Sequence, residues 1–124
     1  MANILIGIAD PDERGLVIFA LRFAGHQLAA AATAEQLFSH LRQSKPDLVV
    51  VDAQLSQISA AELQSAIAIE LHASPIPVIY LVDPRQPSTV LAGLETAGPS
   101  YVLKPISADR LTRTVNASLK NQGS

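Results

Sequence analysis

The sequence predicts an α/β fold, a five-stranded parallel sheet covered by helices on both faces, and two observations carry that expectation. The first is Pro46-Asp47-Leu48-Val49-Val50-Val51-Asp52. A leucine and three valines, started by Pro-Asp and stopped by an acid, form the continuous apolar run of a strand buried on both faces at the centre of a parallel sheet. The second is alternation: five short apolar runs take turns with five helix-period segments, a pattern that calls for right-handed crossovers and helices on both sides of the sheet. Asp52 then stands at the carboxyl end of a central strand, where open α/β sheets form their ligand crevice. Its carboxylate is placed for function rather than for packing.

The elements follow in order. Asn3 to Ile8 reads as a buried strand closed by Ala9-Asp10-Pro11, with Asp10 as N-cap and Pro11 at the first position of a helix. Between Asp12 and Ala24 apolar residues recur at Leu16, Phe19, Ala20 and Phe23, which predicts the core face of the first helix, and Gly25 stops it. Gln27 to Ala32 would be helix by propensity; its position between two helix signals assigns it instead to an edge strand. Thr33 and Gln36 have capping-box spacing and open a short helix through Leu37, Phe38 and Leu41 that ends before Pro46. After the central strand and an irregular stretch from Ala53 to Ile58, Ser59 and Glu62 open a helix through Leu63, Ile67 and Leu71, ended by Ser74-Pro75. Ile76 to Val82 is the fourth strand, with Pro77 near its start; Asp83 to Pro87 is a loop, and Ser88 caps a fourth helix running to Ala97 and Gly98. Ser100 to Leu103 is the last strand. Ser107 caps a final helix with Leu111 and Val115 on one face and Arg110, Arg113 and Lys120 toward solvent. Residues 1–121 read as one domain and 122–124 as a disordered tail.

Composition narrows the function. At 124 residues only one domain fits, and 48% hydrophobic against 16% charged residues is globular. A net charge of -2 gives no electrostatic reason to expect nucleic acid or an anionic membrane as partner. The absence of cysteine removes disulfides, thiolate nucleophiles and cysteine metal sites together, and fits a reducing cytoplasm. His26, His40 and His72 are not at ligand spacing and read as helix-terminus or surface residues. The amino terminus lacks the pattern of a signal peptide, and no apolar run approaches the roughly 20 residues of a membrane span.

The strand ends supply the chemistry. Asp10 follows the first strand, Asp52 the third, Asp83 the fourth and Lys104 the fifth, all on one edge of the sheet. Three carboxylates facing one ammonium suit phosphate or divalent-metal chemistry. The glycine-rich phosphate loop or Walker lysine that a nucleotide-binding domain of this architecture places after its first strand is missing, which ranks a small-molecule-binding flavodoxin-like domain low. No nucleophile and base pair is visible, so an enzyme is not expected.

At these residues the chain resembles the receiver domain of two-component response regulators. The marks are Ile4-Leu5-Ile6 leading to Asp10-Pro11-Asp12 with Arg14, the Pro46 to Asp52 run, Pro77-Val78-Ile79, and Tyr101-Val102-Leu103-Lys104-Pro105. The resemblance implies a flavodoxin-like three-layer sandwich with strand order 2-1-3-4-5. It implies that Asp52 is the position that accepts a phosphoryl group from a histidine kinase, that Lys104 contacts the phosphate, and that Pro105 follows a cis bond. It also implies that Val82 and Tyr101 are the switch positions.

The departures from the family pattern define what to expect of this member. The acidic pair that holds Mg²⁺ falls, counting back from Arg14, on Ile8 and Ala9, and the phosphate-binding Ser/Thr at the end of the fourth strand is Val82. The Met-Pro and Asp-Gly that follow the phosphoacceptor are Leu55-Ser56 and Ser59-Ala60. Asp10 and Asp52 are expected to hold Mg²⁺ weakly at best, and no cofactor is expected. Asp10 reads as an N-cap first; Asp83 either opens a turn, repels phosphate or replaces a lost ligand; Asp52 and Lys104 are expected as an ion pair in which Lys104 alone would meet an incoming phosphate. The resulting expectation is a cytoplasmic pseudo-receiver that signals through protein contacts. Its partners would be a histidine kinase, another signalling protein or a fused C-terminal effector domain. A homodimer through the 88–97 helix, the last strand and the final helix is a further possibility, and a conventional phospho-switch at Asp52 is the alternative.

Overall fold

The computed structural model describes residues 2–57, 60–71, 76–85 and 100–122. Five strands, β1 (Asn3–Gly7), β2 (Gln27–Ala31), β3 (Leu48–Asp52), β4 (Val78–Val82) and β5 (Ser100–Leu103), form one sheet in the order β2-β1-β3-β4-β5. Every pairing is parallel. Four α-helices are described: α1 (Pro11–Phe23), α2 (Ala34–Gln43), α3 (Ala60–Glu70) and α4 (Ala108–Gln122). The expected Ser59 cap, the Ser74-Pro75 stop, His72 and the helix from Ser88 to Gly98 lie outside the described residues.

The strand pleat divides the core into two layers. Leu5, Val49, Val51, Tyr80 and Val82 face Leu37 and Leu41 of α2 and Leu63 and Ile67 of α3. Ile4, Ile6, Leu48, Val50, Ile79, Leu81 and Val102 face Val17 and Leu21 of α1 and Leu111 and Val115 of α4. Leu48 to Val51 are each fully buried, because β3 is covered on both faces. Gly7 sits where β1 passes under the first of these layers. A Cβ there would lie 3.1 Å from Leu37 Cδ1 and from Leu55 Cδ2 and 3.2 Å from Val51 Cγ2, so the close packing of the site-bearing strands requires a residue without a side chain.

Local signals set the boundaries. Asp10 Oδ1 accepts from Asp12 N–H at 3.0 Å with Pro11 at the first helical position. Thr33 Oγ1 accepts from Gln36 N–H at 3.1 Å, while Gln36 Oε1 accepts from Ala32 N–H at 2.8 Å, so the reciprocal bond of the capping box falls one residue early. Gly25, at φ 96°, ends α1 in the left-handed conformation that favours glycine. Ser107 Oγ accepts from Arg110 N–H at 3.3 Å. The Gln27–Ala31 edge strand is present despite its helical propensity, because pairing with β1 outweighs the few tenths of a kcal/mol per residue that propensity supplies.

Four expectations are corrected. Leu16, Phe19 and Phe23 are not the core face of α1: they are 44%, 72% and 86% exposed, and the buried stripe is Val17, Ala20 and Leu21. Between β3 and α3 the chain is not wholly irregular, since Leu55–Gln57 forms a 3₁₀ turn with Ser56 at φ 56°. Ile76 and Pro77 precede β4 rather than belonging to it, although the Pro77 carbonyl accepts from Val49 N–H at 3.0 Å. The last helix continues through Gln122, one residue into the expected tail.

Candidate functional site

The loops after β1, β3, β4 and β5 meet at the carboxyl edge of the sheet around a cavity of ≈ 580 Å³ that includes Asp10, Asp52, Asp83 and Lys104 in its walls. Register explains the convergence. Gly7 pairs with Val51, Asp52 with Leu81 and Val82 with Leu103, so the residues that follow each strand emerge at one level.

Lys104 is the hub. Its Nζ lies 2.8 Å from Asp52 Oδ2 and 3.0 Å from Glu13 Oε1, with the three side chains each only about one-fifth exposed. Burial by itself would lower the Lys104 pKa, but the hydrogen bonds and charges of Asp52 and Glu13 outweigh it and leave the ammonium above its ordinary value. Asp52 Oδ1 accepts from Gln54 N–H at 2.9 Å, so both oxygens of the central carboxylate are engaged. The Lys104-Pro105 bond is cis.

The expected Asp52 to Lys104 pair is therefore present, and Glu13, which the sequence does not single out, joins it. That residue sits three positions after the Asp10 cap, in the first turn of α1. Its spacing reads as a capping-box acid, whose side chain would fold back on its own helix end; nothing in the local pattern shows that it reaches the end of β5.

The other acids are also committed. Asp10 caps α1. Asp83 pairs with Arg85, whose Nη2 lies 2.7 Å from Oδ2 and whose backbone N–H donates to Oδ1 at 2.9 Å. These bonds hold the Asp83 carboxyl down to about 2. A folded value below the unfolded one means a contribution fully present above the ordinary 3.8 and lost as pH falls through about 2. In a carbon-detected titration Asp83 should give its midpoint at about 2, and Arg85→Ala should raise it toward 3.8; an unmoved midpoint would show that another group depresses it.

The expected first strand ends one residue early, at Gly7, and Ile8 and Ala9 follow it. Ile8 is fully buried in the α1 and α4 layer of the core, and Ala9 is exposed on the cavity wall. Arg14 Nη1 donates to the carbonyls of both, at 3.0 and 3.1 Å, placing a cation against the backbone there. Val82 is buried with no hydroxyl to offer, and its carbonyl accepts from Lys104 N–H at 2.8 Å. Tyr101 is half-buried against the α2 and α3 layer. Among the described residues no group of three or more His, Asp and Glu side chains is arranged to hold a metal ion. His26 lies away from this edge, its Nδ1 accepting from Ala2 N–H at 3.3 Å.

Comparison with known proteins identifies the family. The family model for the response regulator receiver domain matches residues 8–116. The chain belongs to that family. Receiver relatives include the transcriptional regulatory protein AfsQ1 of Streptomyces coelicolor, 30% identical over 97% of this chain and 52% of AfsQ1. Protein PilH of Pseudomonas aeruginosa is 29% identical over 96% of this chain and 98% of PilH. The phosphate regulon regulator PhoB of the same organism is 28% identical over 98% of the chain and 53% of PhoB. The chain thus spans about half the length of the regulators AfsQ1 and PhoB and nearly all of PilH. In fold, it superposes on a two-component response regulator from Clostridium difficile with a TM-score of 0.85 at 23% identity, each chain fully covered. A CheY-like receiver from Methanospirillum hungatei gives a TM-score of 0.85 at 21% identity, over 99% of this chain and 97% of that one. The receiver assignment confirms the flavodoxin-like fold, the strand order and the place of the chain in two-component signalling.

Proposed function

We propose that this receiver acts as a pseudo-receiver, a signalling module that works through protein contacts while the charges of its own side chains disfavour phosphorylation in its pocket. The observation that carries the reading is Lys104 bound between Asp52 and Glu13. A phosphoryl group arriving at Asp52 would have to displace an existing ion pair and approach a second carboxylate. At an effective dielectric of ~20, each pair of unit charges ~4 Å apart is worth roughly 4 kcal/mol. Family members offset such repulsion with Mg²⁺; here Ile8 and Ala9 supply no carboxylate, Asp10 and Asp83 are engaged elsewhere, and binding of the ion is weak or absent.

On this reading Asp52 keeps the phosphoacceptor position, Lys104 the phosphate-contact position, and Val82 and Tyr101 the switch positions without the switch. The domain runs through the end of α4, works in the cytoplasm as a signalling protein rather than an enzyme, and contacts neither nucleic acid nor membrane. Among the described residues no helix is long and apolar enough to cross a membrane. Its partners are a histidine kinase or other signalling protein, or an effector domain joined to it. The solvent-facing Arg110, Arg113 and Lys120 on α4, together with β5, offer a basic contact surface for them.

Intact mass after incubation with acetyl phosphate and Mg²⁺, beside Asp52→Asn, tests the proposal. Little or no species heavier by about 80 Da is expected in either protein. A near-complete adduct absent from Asp52→Asn would establish a conventional phospho-switch instead.

A further inference from the structure

Helix α1 carries two apolar stripes, and the domain uses one. Val17, Ala20 and Leu21 are buried against the sheet, while Leu16, Phe19 and Phe23 stand on the opposite side at 44%, 72% and 86% exposure. Single exposed apolar residues need no explanation, but two phenylalanines and a leucine in one continuous row do. Asp12, Leu16, Phe19 and Phe23 are spaced four, three and four, the repeat of the seam between two paired helices. The two rings stack with centroids 6.3 Å apart and form a ridge. Beside the ridge, Gly15, Ile18 and Arg22 help to line a shallow depression of ≈ 440 Å³, and a Cβ on Gly15 would meet nothing within 4 Å.

We infer that this stripe is the surface through which two copies of the chain pair, α1 against α1 in antiparallel orientation. Charge selects both the partner and the direction. Exposed Asp12 lies in the first turn of α1 and exposed Arg22 in the last. A two-fold axis near the middle of the helix sets Leu16 of one copy against Phe19 of the other. It also carries Arg22 across the bare Gly15 toward Asp12, and symmetry makes each contact twice. A parallel pair would bring Asp12 to Asp12 and Arg22 to Arg22. At the exposures given, the three apolar side chains offer on the order of 400 Å² per copy, or about 800 Å² for the pair, short of the ~1,200 Å² of a standard stable interface. The dimer is therefore weak and reversible. It rests on α1 alone and stands whether or not Asp52 is phosphorylated.

Sedimentation equilibrium of the full chain from about 10 µM to about 1 mM reads the association directly. A mass rising from monomer to dimer is expected, and Phe19→Ser, at a solvent-facing position whose fold is checked by circular dichroism, should keep the mass at monomer. Asp12→Arg and Arg22→Asp should each weaken association at least about tenfold, and the two together should restore it, because the double swap rebuilds the cross-pair. A monomer at every concentration would overturn the inference. So would a dimer indifferent to Phe19→Ser, a dimer lost instead in Arg110→Glu, or single charge reversals that the double variant does not rescue.

Discussion

Lys104→Met is expected to lower the unfolding free energy by about 2–3 kcal/mol at pH 7, with most of the loss recovered near pH ~3. Asp52 and Glu13 both direct a carboxylate oxygen to within 3.0 Å of the Lys104 ammonium, and each side chain is only 19% exposed. Methionine keeps most of the aliphatic packing and removes the charge that lets the two carboxylates share the site. Removing one partner of a fully buried pair costs about 3–5 kcal/mol; water still reaches this triad, so a smaller figure applies. Acid protonates the stranded carboxylates and lifts their repulsion. In the wild type the Lys104 pKa is raised on folding, so with Asp52 and Glu13 ionised its stabilisation is complete up to the ordinary lysine value and fades as pH climbs through the raised one. Urea unfolding at both pH values measures the difference. Adding Glu13→Gln to Lys104→Met should return about 1 kcal/mol at pH 7, because it removes one of the two facing charges. A loss that is the same at pH 7 and pH 3, or a double variant weaker than the single, would show that packing rather than charge holds Lys104.

Much of the fold was legible because it depends on local patterns that the tertiary structure respects. The valine run of β3 had to be buried on both faces, and the caps at Asp10, Thr33 and Ser107 sit where their side chains satisfy free N–H groups. The site was half legible. Asp52 and Lys104 lie at strand ends, and parallel register brings strand ends together whatever their sequence separation. Glu13 and Arg85 act through side-chain reach across or beside loops, which no spacing rule encodes. The buried face of α1 is ambiguous in the sequence for a different reason. Periodicity marks an apolar stripe but not what covers it, and α1 has two; Phe19 and Phe23 give the stronger visual pattern while the smaller Val17, Ala20 and Leu21 fill the space above the sheet.

The largest gain of function is expected from Ala9→Asp, Glu13→Gln and Val82→Thr combined, which should raise the rate of Mg²⁺-dependent modification of Asp52 by acetyl phosphate at least about 100-fold, some 2.7 kcal/mol of barrier. The positions are chosen by burial. An acid at Ile8 would place a charge in a fully buried position of the α1 and α4 layer, which costs several kcal/mol, whereas position 9 is exposed on the cavity wall and accepts a carboxylate cheaply. The new side chain need only bring a second carboxylate near Asp52, the minimum from which Mg²⁺ with its retained waters gains a foothold. Glu13→Gln removes the charge that both repels phosphate and competes for the Lys104 ammonium. Val82→Thr adds a hydroxyl donor at nearly constant volume in a position that is 1% exposed, at a stability cost of about 1–2 kcal/mol. Intact mass over time, with the same three changes on an Asp52→Asn background as control, gives the rate. If the combined variant is no faster than the wild type while circular dichroism shows it folded, the side chains at positions 9, 13 and 82 are not what closes the pocket, and the pseudo-receiver reading loses its physical basis.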